Sequence, residues 1–226
     1  MAHTPYPGAQ VVQLILSTVV KVFEDFTYHR EMASADGLSV TLEFSASVNG
    51  KSLKGVDVIQ FDEPAFNVYM DDAADWGVKA LERAAEGLMC TTTVHICDGY
   101  GIQANIDWKK TLGSEWRQYE QTFPNLRTSK IYIISLECHH SHVPMDLIEL
   151  IRGKKVMIGA IDVATDVIET PEEVADTLRK ALRFVDADKL YPSTNCGMAP
   201  LSRRVARGKL NALGAGARIV RAELAG

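Results

Sequence analysis

The alternation of short β-rich runs with helical patterns from residue 56 onward is the feature that most constrains the fold. Such alternation is typical of βα units, whose strands form a parallel sheet. The predicted strands are VDVIQF (56–61), TTVHIC (92–97), IYIISLE (131–137), KVMIGAID (155–162) and KLYPST (189–194). The sequence therefore predicts an α/β fold with five successive βα units.

Helical spacing and capping signals lie between these strands. After the first strand, apolar residues recur at helical spacing and a glycine stands near the predicted end, namely Val78, Leu81, Ala85, Leu88 and Gly87. After the fourth strand, Thr170 is a good N-cap, Pro171 suits the first helical position and Glu173 completes a capping box. Further helices are predicted over 144–153, within 102–130 and over much of 201–222.

Residues 1–55 lack this rhythm. They contain an apolar run at 11–23, a predicted strand at 39–49 and a turn signal at Asn49–Gly50. We therefore predict an atypical N-terminal segment over 1–55 and a βα portion over 56–226.

Length, charge and hydropathy narrow the function classes. The chain has 226 residues and a net charge of −5 without a Lys/Arg cluster, which argues against a nucleic-acid partner. The apolar run at 11–23 is shorter than the roughly 20 residues that span a bilayer and lacks a basic flank, so neither a membrane span nor a signal peptide is predicted. Four cysteines without an export signal favour a reducing, cytoplasmic location.

Ligand-capable or titratable groups end every predicted strand, where the carboxyl ends of parallel strands meet at one face. His95 and Cys97 are two residues apart, so in a strand both side chains project to the same face. With Glu137 and Cys196 they offer one nitrogen, two sulfurs and one carboxylate, a set that favours tetrahedral Zn²⁺ over Mg²⁺ or Ca²⁺. The remaining groups at these ends are Asp62, Glu63 and Asp162.

Structural roles compete with this interpretation. A cysteine in an apolar strand is commonly a small buried hydrophobe, and Cys90 and Cys138 are interpreted in that way. A carboxylate at Glu137, after the apolar run IYIISL, is costly to bury unless it has a partner. The loop histidines, His139, His140 and His142, are interpreted mainly as solvated. The aromatic residues Trp108, Trp116 and Tyr119 are interpreted mainly as helix packing.

Five pieces of the chain resemble, in order, the C-terminal catalytic barrel of cobalamin-independent methionine synthases. They are VIQFDEPAF (58–66), VHIC (94–97), the strand that ends at Glu137, GAIDVATD (159–166) and NCGM (195–198). The resemblance covers about residues 55–222. It implies a (β/α)8 TIM barrel of the methionine synthase/uroporphyrinogen decarboxylase-like group, incomplete because about five βα units are recognisable.

The same resemblance implies roles for individual residues. His95, Cys97, Glu137 and Cys196 correspond to zinc ligands, and Asp62, with Glu63 beside it, corresponds to a contact for the amino group of homocysteine. Asp162 aligns with a family aspartate, but Ala164 stands where the family commonly has a histidine proposed as proton donor. The general acid is therefore left open among Asp166, His139 and His140.

The resemblance implies zinc-dependent methyl transfer to the thiol of homocysteine, giving methionine. The methyl donor is either a methyl-folate or a methyl-corrinoid carrier. Residues 1–55 do not match the family's first βα units, so either they close the sheet or another chain does, a second copy or a complementing one. The alternative is a catalytically inactive truncated homologue that acts as a metal-binding or structural module.

Overall fold

A computed structural model describes residues 24–33, 40–48, 51–52, 58–99, 107–139 and 141–226. The chain divides into two compact units, Met1–Val56 and Asp57–Gly226. The predicted apolar run at 11–23 and the turn at Asn49–Gly50 lie outside the described residues.

In the first unit, three strands form an antiparallel sheet in the order β1-β2-β3. They are β1 (Glu24–Ala33), β2 (Val40–Val48) and β3 (Lys51–Ser52). The strand predicted over 39–49 is confirmed as β2. Alternation of apolar and polar residues in LSVTLEF is the signal that identified it.

In the second unit, five strands form a parallel sheet in the order β4-β5-β6-β7-β8. They are β4 (Val58–Asp62), β5 (Thr91–His95), β6 (Ile133–Glu137), β7 (Lys155–Gly159) and β8 (Leu190–Ser193). The predicted α/β class and all five predicted strands are confirmed. Within the described residues the sheet is open, with β4 and β8 at its edges, so it corresponds to part of a barrel.

Helices connect these strands. The α-helices are α1 (Met70–Asp72), α2 (Val78–Ala84), α3 (Tyr119–Thr128), α4 (Pro171–Ala181) and α5 (Arg203–Ala225). A π-helical segment, Ala73–Gly77, joins α1 to α2, and 3₁₀ helices occupy Pro64–Asn67, Met145–Ile151 and Ala187–Lys189. None of the helices in the described part of the chain is long and apolar enough to cross a membrane.

The capping box predicted for α4 is confirmed. The Thr170 hydroxyl accepts a hydrogen bond from the Glu173 amide at 3.2 Å, and the Glu173 carboxylate accepts one from the Thr170 amide at 2.7 Å. These two bonds satisfy donors that a helix start leaves unpaired, which fixes where α4 begins.

Several predicted elements end earlier than their sequence patterns indicate. Strand β5, for example, ends at His95, so Cys97 lies beyond it. Helix α2 ends at Ala84, so Leu88, expected on its apolar face, lies beyond it and is partly exposed. Strand β7 ends at Gly159 rather than at residue 162. The Ala160 amide still donates to the Ser193 carbonyl of β8, whereas the Asp162 amide donates to the carboxylate of Glu169.

The core lies between the sheet and the helices that cover it. Strands β6 and β7 contribute fully buried aliphatic residues, and α3 contributes Tyr119 and Phe123, whose rings stack at 4.6 Å between centroids. The Tyr119 hydroxyl donates to the Ile96 carbonyl at 2.8 Å, so this hydrogen bond connects α3 to the residue that follows β5. Packing therefore fixes the carboxyl edge of the sheet, where the candidate site lies.

Candidate metal centre

Three predicted ligands come together at the carboxyl edge of the sheet. One ligand atom from each of His95, Cys97 and Cys196 lies within 4.8 Å of the others. The two sulfur atoms are 3.5 Å apart although the residues are 99 positions apart in the chain. The spacing of His95 and Cys97 and the position of Cys196 after β8 thus produce a compact group of one nitrogen and two sulfurs.

Ser135 on the neighbouring strand orients the imidazole of His95. The two residues are paired in the parallel register of β5 and β6, and Nδ1 of His95 lies 2.8 Å from the Ser135 hydroxyl. The other ring nitrogen, Nε2, is buried and has no hydrogen-bond partner among the described residues. Because a buried polar atom normally has a partner, Nε2 is the nitrogen available to a metal.

The two thiols share their protons unequally. A hydrogen bond from Cys97, with His95 also nearby, lowers the pKa of Cys196 to about 4. The same hydrogen bond and burial raise the pKa of Cys97. Within the pair, Cys196 is therefore the thiol with the lower pKa, and thiolates are the form of cysteine that binds metals.

Two glycine amides support the sulfurs. The amide of Gly99 bonds to Cys97 and that of Gly197 to Cys196, and each bond lowers the pKa of its thiol. Gly99 has a φ of 73°, in the left-handed region that glycine adopts without steric cost. Gly99 thus allows the chain to turn back and present an amide to Cys97.

Glu137, the fourth predicted ligand, is buried at the end of β6 beside a second carboxyl group. Its Oε2 accepts from the Asp98 amide at 3.4 Å, and its Oε1 has no hydrogen-bond partner in the described residues. Burial, together with Asp98, raises the pKa of Glu137 to about 8. Glu137 is not one of the three residues whose ligand atoms cluster, so its role as a ligand stays a prediction.

Asp98 and Asn67 are buried polar residues that the sequence analysis missed. Asn67 donates to Asp98 through its side-chain amide at 2.8 Å, and burial raises the pKa of Asp98. A carboxylate directly after Cys97 was the available signal. Its partner could not be identified because Asn67 lies 31 residues away.

Asn195 fixes the segment that carries Cys196. Its side chain donates to the His139 carbonyl at 2.7 Å and accepts from the Cys138 amide at 3.2 Å. At Gly159, an added Cβ would lie 2.3 Å from the Asn195 Oδ1 atom, so β7 and this segment approach as closely as a glycine allows. Asn195 was missed as a site residue, although its position next to Cys196 was a signal.

The predicted substrate and proton-transfer residues lie around the same edge of the sheet. Asp62 is exposed at the end of β4 and accepts from the Gln60 side chain at 2.8 Å. The next residue, Glu63, donates its amide to the His95 carbonyl at 2.8 Å, and burial, with Asp62 nearby, raises the pKa of Glu63. Asp162 is half-buried and accepts from the Ala164 amide at 2.8 Å, whereas Asp166 is exposed.

The loop histidines differ from one another. His139 is buried with its Nδ1 atom 3.2 Å from the Thr177 hydroxyl on α4, contrary to the expectation of a solvated side chain, because the turn after β6 lies under that helix. His142 is exposed and its ring lies 5.1 Å from that of Trp116. His140 lies outside the described residues.

The donor set suits a soft or borderline metal ion. Two sulfurs and one imidazole nitrogen are ligands that Zn²⁺ prefers, and Mg²⁺ and Ca²⁺ bind oxygen instead. The buried Nε2 of His95 without a partner, beside a cysteine with a lowered pKa, is consistent with such an ion. The residues present therefore fit a metal, and at least one further ligand position is available.

Comparison with known proteins identifies relatives of this chain. The family model described as "Cobalamin-independent synthase, Catalytic domain" matches residues 38–218. A methionine synthase from Saccharolobus islandicus strain Y.G.57.14 is 32% identical over 172 residues, which cover 75% of this chain and 46% of that protein. One from Thermococcus kodakarensis is 28% identical over 173 residues, covering 76% and 46% respectively.

A solved structure is more similar in sequence. The B12-independent methionine synthase from Shewanella sp. W3-18-1, in complex with selenomethionine, is 78% identical with a TM-score of 0.73, and the match covers 75% of this chain and 50% of that one. The chain thus spans about half the length of the relatives that it matches.

Proposed function

Because the chain belongs to the family of cobalamin-independent synthase catalytic domains, we propose that it transfers a methyl group to the thiol of homocysteine, giving methionine. We propose that the reaction takes place at a zinc centre held by His95, Cys97, Cys196 and Glu137. Residues 56–226 carry this chemistry in the proposal, and residues 1–55 form a separate N-terminal segment.

The observation that carries the proposal is the grouping of one imidazole and two thiols within 4.8 Å. The relatives support it, since proteins that match over three quarters of this chain are methionine synthases. The Shewanella structure was solved with selenomethionine, which is the selenium analogue of the proposed product. A site of this kind would accept a small amino acid with sulfur in its side chain.

Zinc would act as a Lewis acid that lowers the pKa of the homocysteine thiol. The three negative charges of its ligands, two thiolates and one carboxylate, would leave that sulfur electron-rich. The chain itself supplies the orientation. Ser135 holds the His95 ring through Nδ1, so Nε2 is the nitrogen left to bind a ligand, and the Gly99 and Gly197 amides bond to the two sulfurs. Asp62 and Glu63 would bind the substrate's ammonium group at the neighbouring strand end.

Transfer of the methyl group leaves the carrier with a basic atom that needs a proton when the donor is a methyl-folate. Asp162 and Asp166, on the segment that follows β7, are the proposed proton donors. A methyl-corrinoid carrier is the other donor class, and its leaving group requires no such proton. The dependence of the reaction on Asp162 therefore bears on which carrier is used.

Metal analysis and a homocysteine titration of the purified full chain test the proposal. We expect about one zinc per chain in the wild type, release of about one proton on addition of homocysteine, and methionine formation with a methyl donor. Cys196→Ser should lose the zinc and the activity. Cys138→Ser, which alters a half-buried cysteine outside the three-residue group, should retain both and is the matched control.

Two outcomes would contradict the proposal. If Cys196→Ser retains as much zinc as the wild type, the three residues do not form the centre. If zinc binds but homocysteine causes neither proton release nor a change in the zinc–sulfur signal in X-ray absorption, the chain is a metal-binding or structural module.

A further inference from the structure

A buried ion pair outside the metal centre joins the last helix to the segment that follows β7. Lys209, in α5, is fully buried, and Glu169 is 5% exposed. The Lys209 Nζ atom lies 3.0 and 3.1 Å from the two carboxylate oxygens of Glu169 and also donates to the Val167 carbonyl. The charge of each residue therefore meets an opposite charge inside the protein.

The Glu169 carboxylate is also bonded to the backbone of a predicted catalytic residue. Its Oε1 accepts from the Asp162 amide at 2.9 Å. One residue earlier, the Ile161 carbonyl accepts from the Asn195 amide at 2.9 Å, and Asn195 directly precedes Cys196. The pair thus connects α5 through Asp162 and Ile161 to the segment that supplies a predicted metal ligand.

Helix α5 also packs directly against this segment. A Cβ added at Gly208 would lie 2.4 Å from the Cδ1 atom of Ile168, so the helix backbone is in direct contact with the segment. Stability alone does not account for the charges, because apolar residues of similar volume commonly replace a buried ion pair without loss of stability. An ion pair differs from such residues in fixing the direction of its hydrogen bonds.

We propose that Glu169 and Lys209 are positioning residues that hold segment 160–169, and through it Asp162 and the Cys196 segment, in the arrangement the reaction needs. Its catalytic consequence rests on the proposed function. Glu169 acts through the Asp162 amide, and Lys209 acts by holding Glu169. Neither residue needs to touch the substrate.

Two double variants of the full chain test this inference. Lys209→Met with Glu169→Met removes the charges and the acceptor for the Asp162 amide. Lys209→Met with Glu169→Gln removes the charges but keeps an acceptor oxygen. Arg179→Met is the control. Arg179 likewise forms an ion pair with α5, from α4 to Glu223, but that pair belongs to an exposed network.

We expect the Met/Met variant to exchange the Asp162 amide hydrogen at least about tenfold faster than the wild type, with β6 amides unchanged. Its kcat for methionine formation should fall about tenfold while the KM for homocysteine changes less than about threefold, since orientation rather than binding is lost. The Met/Gln variant keeps the acceptor but loses the hold of Lys209, so it should recover only part of both effects, and Arg179→Met should show neither.

Unchanged Asp162 exchange in the Met/Met variant, or an equal increase in Arg179→Met, would overturn the inference. Wild-type protein supplies a reading that needs no variant, because an Asp162 amide that exchanges as fast as the exposed amides of the same segment also overturns it. Absence of methionine formation by the wild type would refute the proposed function, and the exchange results would still decide this one.

Discussion

Two groups of buried polar residues in the second unit differ in whether their polar atoms have hydrogen-bond partners among the described residues. At Glu169 and Lys209, the ammonium group meets a carboxylate and a carbonyl, and the carboxylate also meets an amide. At His95, Cys97 and Cys196, the Nε2 atom of the imidazole is buried without a partner among the described residues. A grouping that is complete needs nothing from solution, whereas an incomplete one indicates a ligand that the described residues do not provide.

Removing one half of the complete grouping should have the largest effect on stability. Lys209→Met leaves the Glu169 carboxylate buried without its counter-charge, so we expect the free energy of unfolding to fall by about 3–5 kcal/mol. Urea denaturation measures this loss. Added zinc should not abolish the difference in unfolding free energy between variant and wild type. A loss below about 1 kcal/mol would show that Lys209 is not the counter-charge that Glu169 needs in the folded protein.

Weakening the support of the incomplete grouping should affect metal binding rather than folding. Ser135→Ala removes the partner of His95 Nδ1, and loss of such a partner typically costs about 10–100-fold in metal affinity. Competition with a chromogenic chelator measures the affinity. Thr93→Val is the matched control. Thr93 is buried in β5, the strand of His95, and its hydroxyl has no hydrogen-bond partner among the described residues.

Loss of the cap of α4, next to Glu169, should change stability but leave metal binding unchanged. Thr170→Ala removes the capping hydroxyl of α4, which should lower the free energy of unfolding by about 1 kcal/mol. Zinc affinity should stay within about twofold of the wild type, since the cap is not bonded to the metal centre. A large loss of zinc in this variant would mean that the cap, and not only the ion pair, supports the segment that carries Cys196.

The smallest expected effect is a pH dependence at Glu63. Burial raises its pKa in the folded protein above the value of 4.5, so the folded state keeps a proton that the unfolded state releases. Stability should therefore fall as the pH rises from below 4.5 through the raised pKa. Glu63→Gln should flatten this part of the stability curve in thermal melts across that range, and an unchanged slope would assign it to another group.

Local patterns predicted most of the second unit. Apolar β-formers separated by helical spacing identified the five strands, and Thr170 with Glu173 identified the start of α4, because both signals act over a few residues. Strand β1 was not predicted, since its sequence EDFTYHREMA carries charges and its pairing with β2 is not a local property. The end of β7 was misplaced: the apolar pattern continues to Asp162, whose amide bonds to the Glu169 carboxylate seven residues away and not to a strand.

The site was predictable to the extent that spacing or family resemblance identified it. The spacing of His95 and Cys97 predicted that both project from one face of a strand; β5 ends at His95 and Cys97 follows it, yet their ligand atoms lie together. Cys196 followed from its position after the last strand. Asp98 and Asn195 were missed because they act through partners 31 to 57 residues away. Lys209 was missed for the same reason, as its carboxylate partner is 40 residues distant.

Gly159 has a consequence for reading sequence variation in this chain. It bears no functional group, yet any side chain there would overlap Asn195, whose backbone leads to Cys196. In a saturation library selected for the proposed activity through growth without methionine, position 159 should tolerate almost no replacement and would score like a residue that contacts substrate. A mutational map of this protein therefore needs an abundance measurement beside the growth score before intolerance is taken as chemistry.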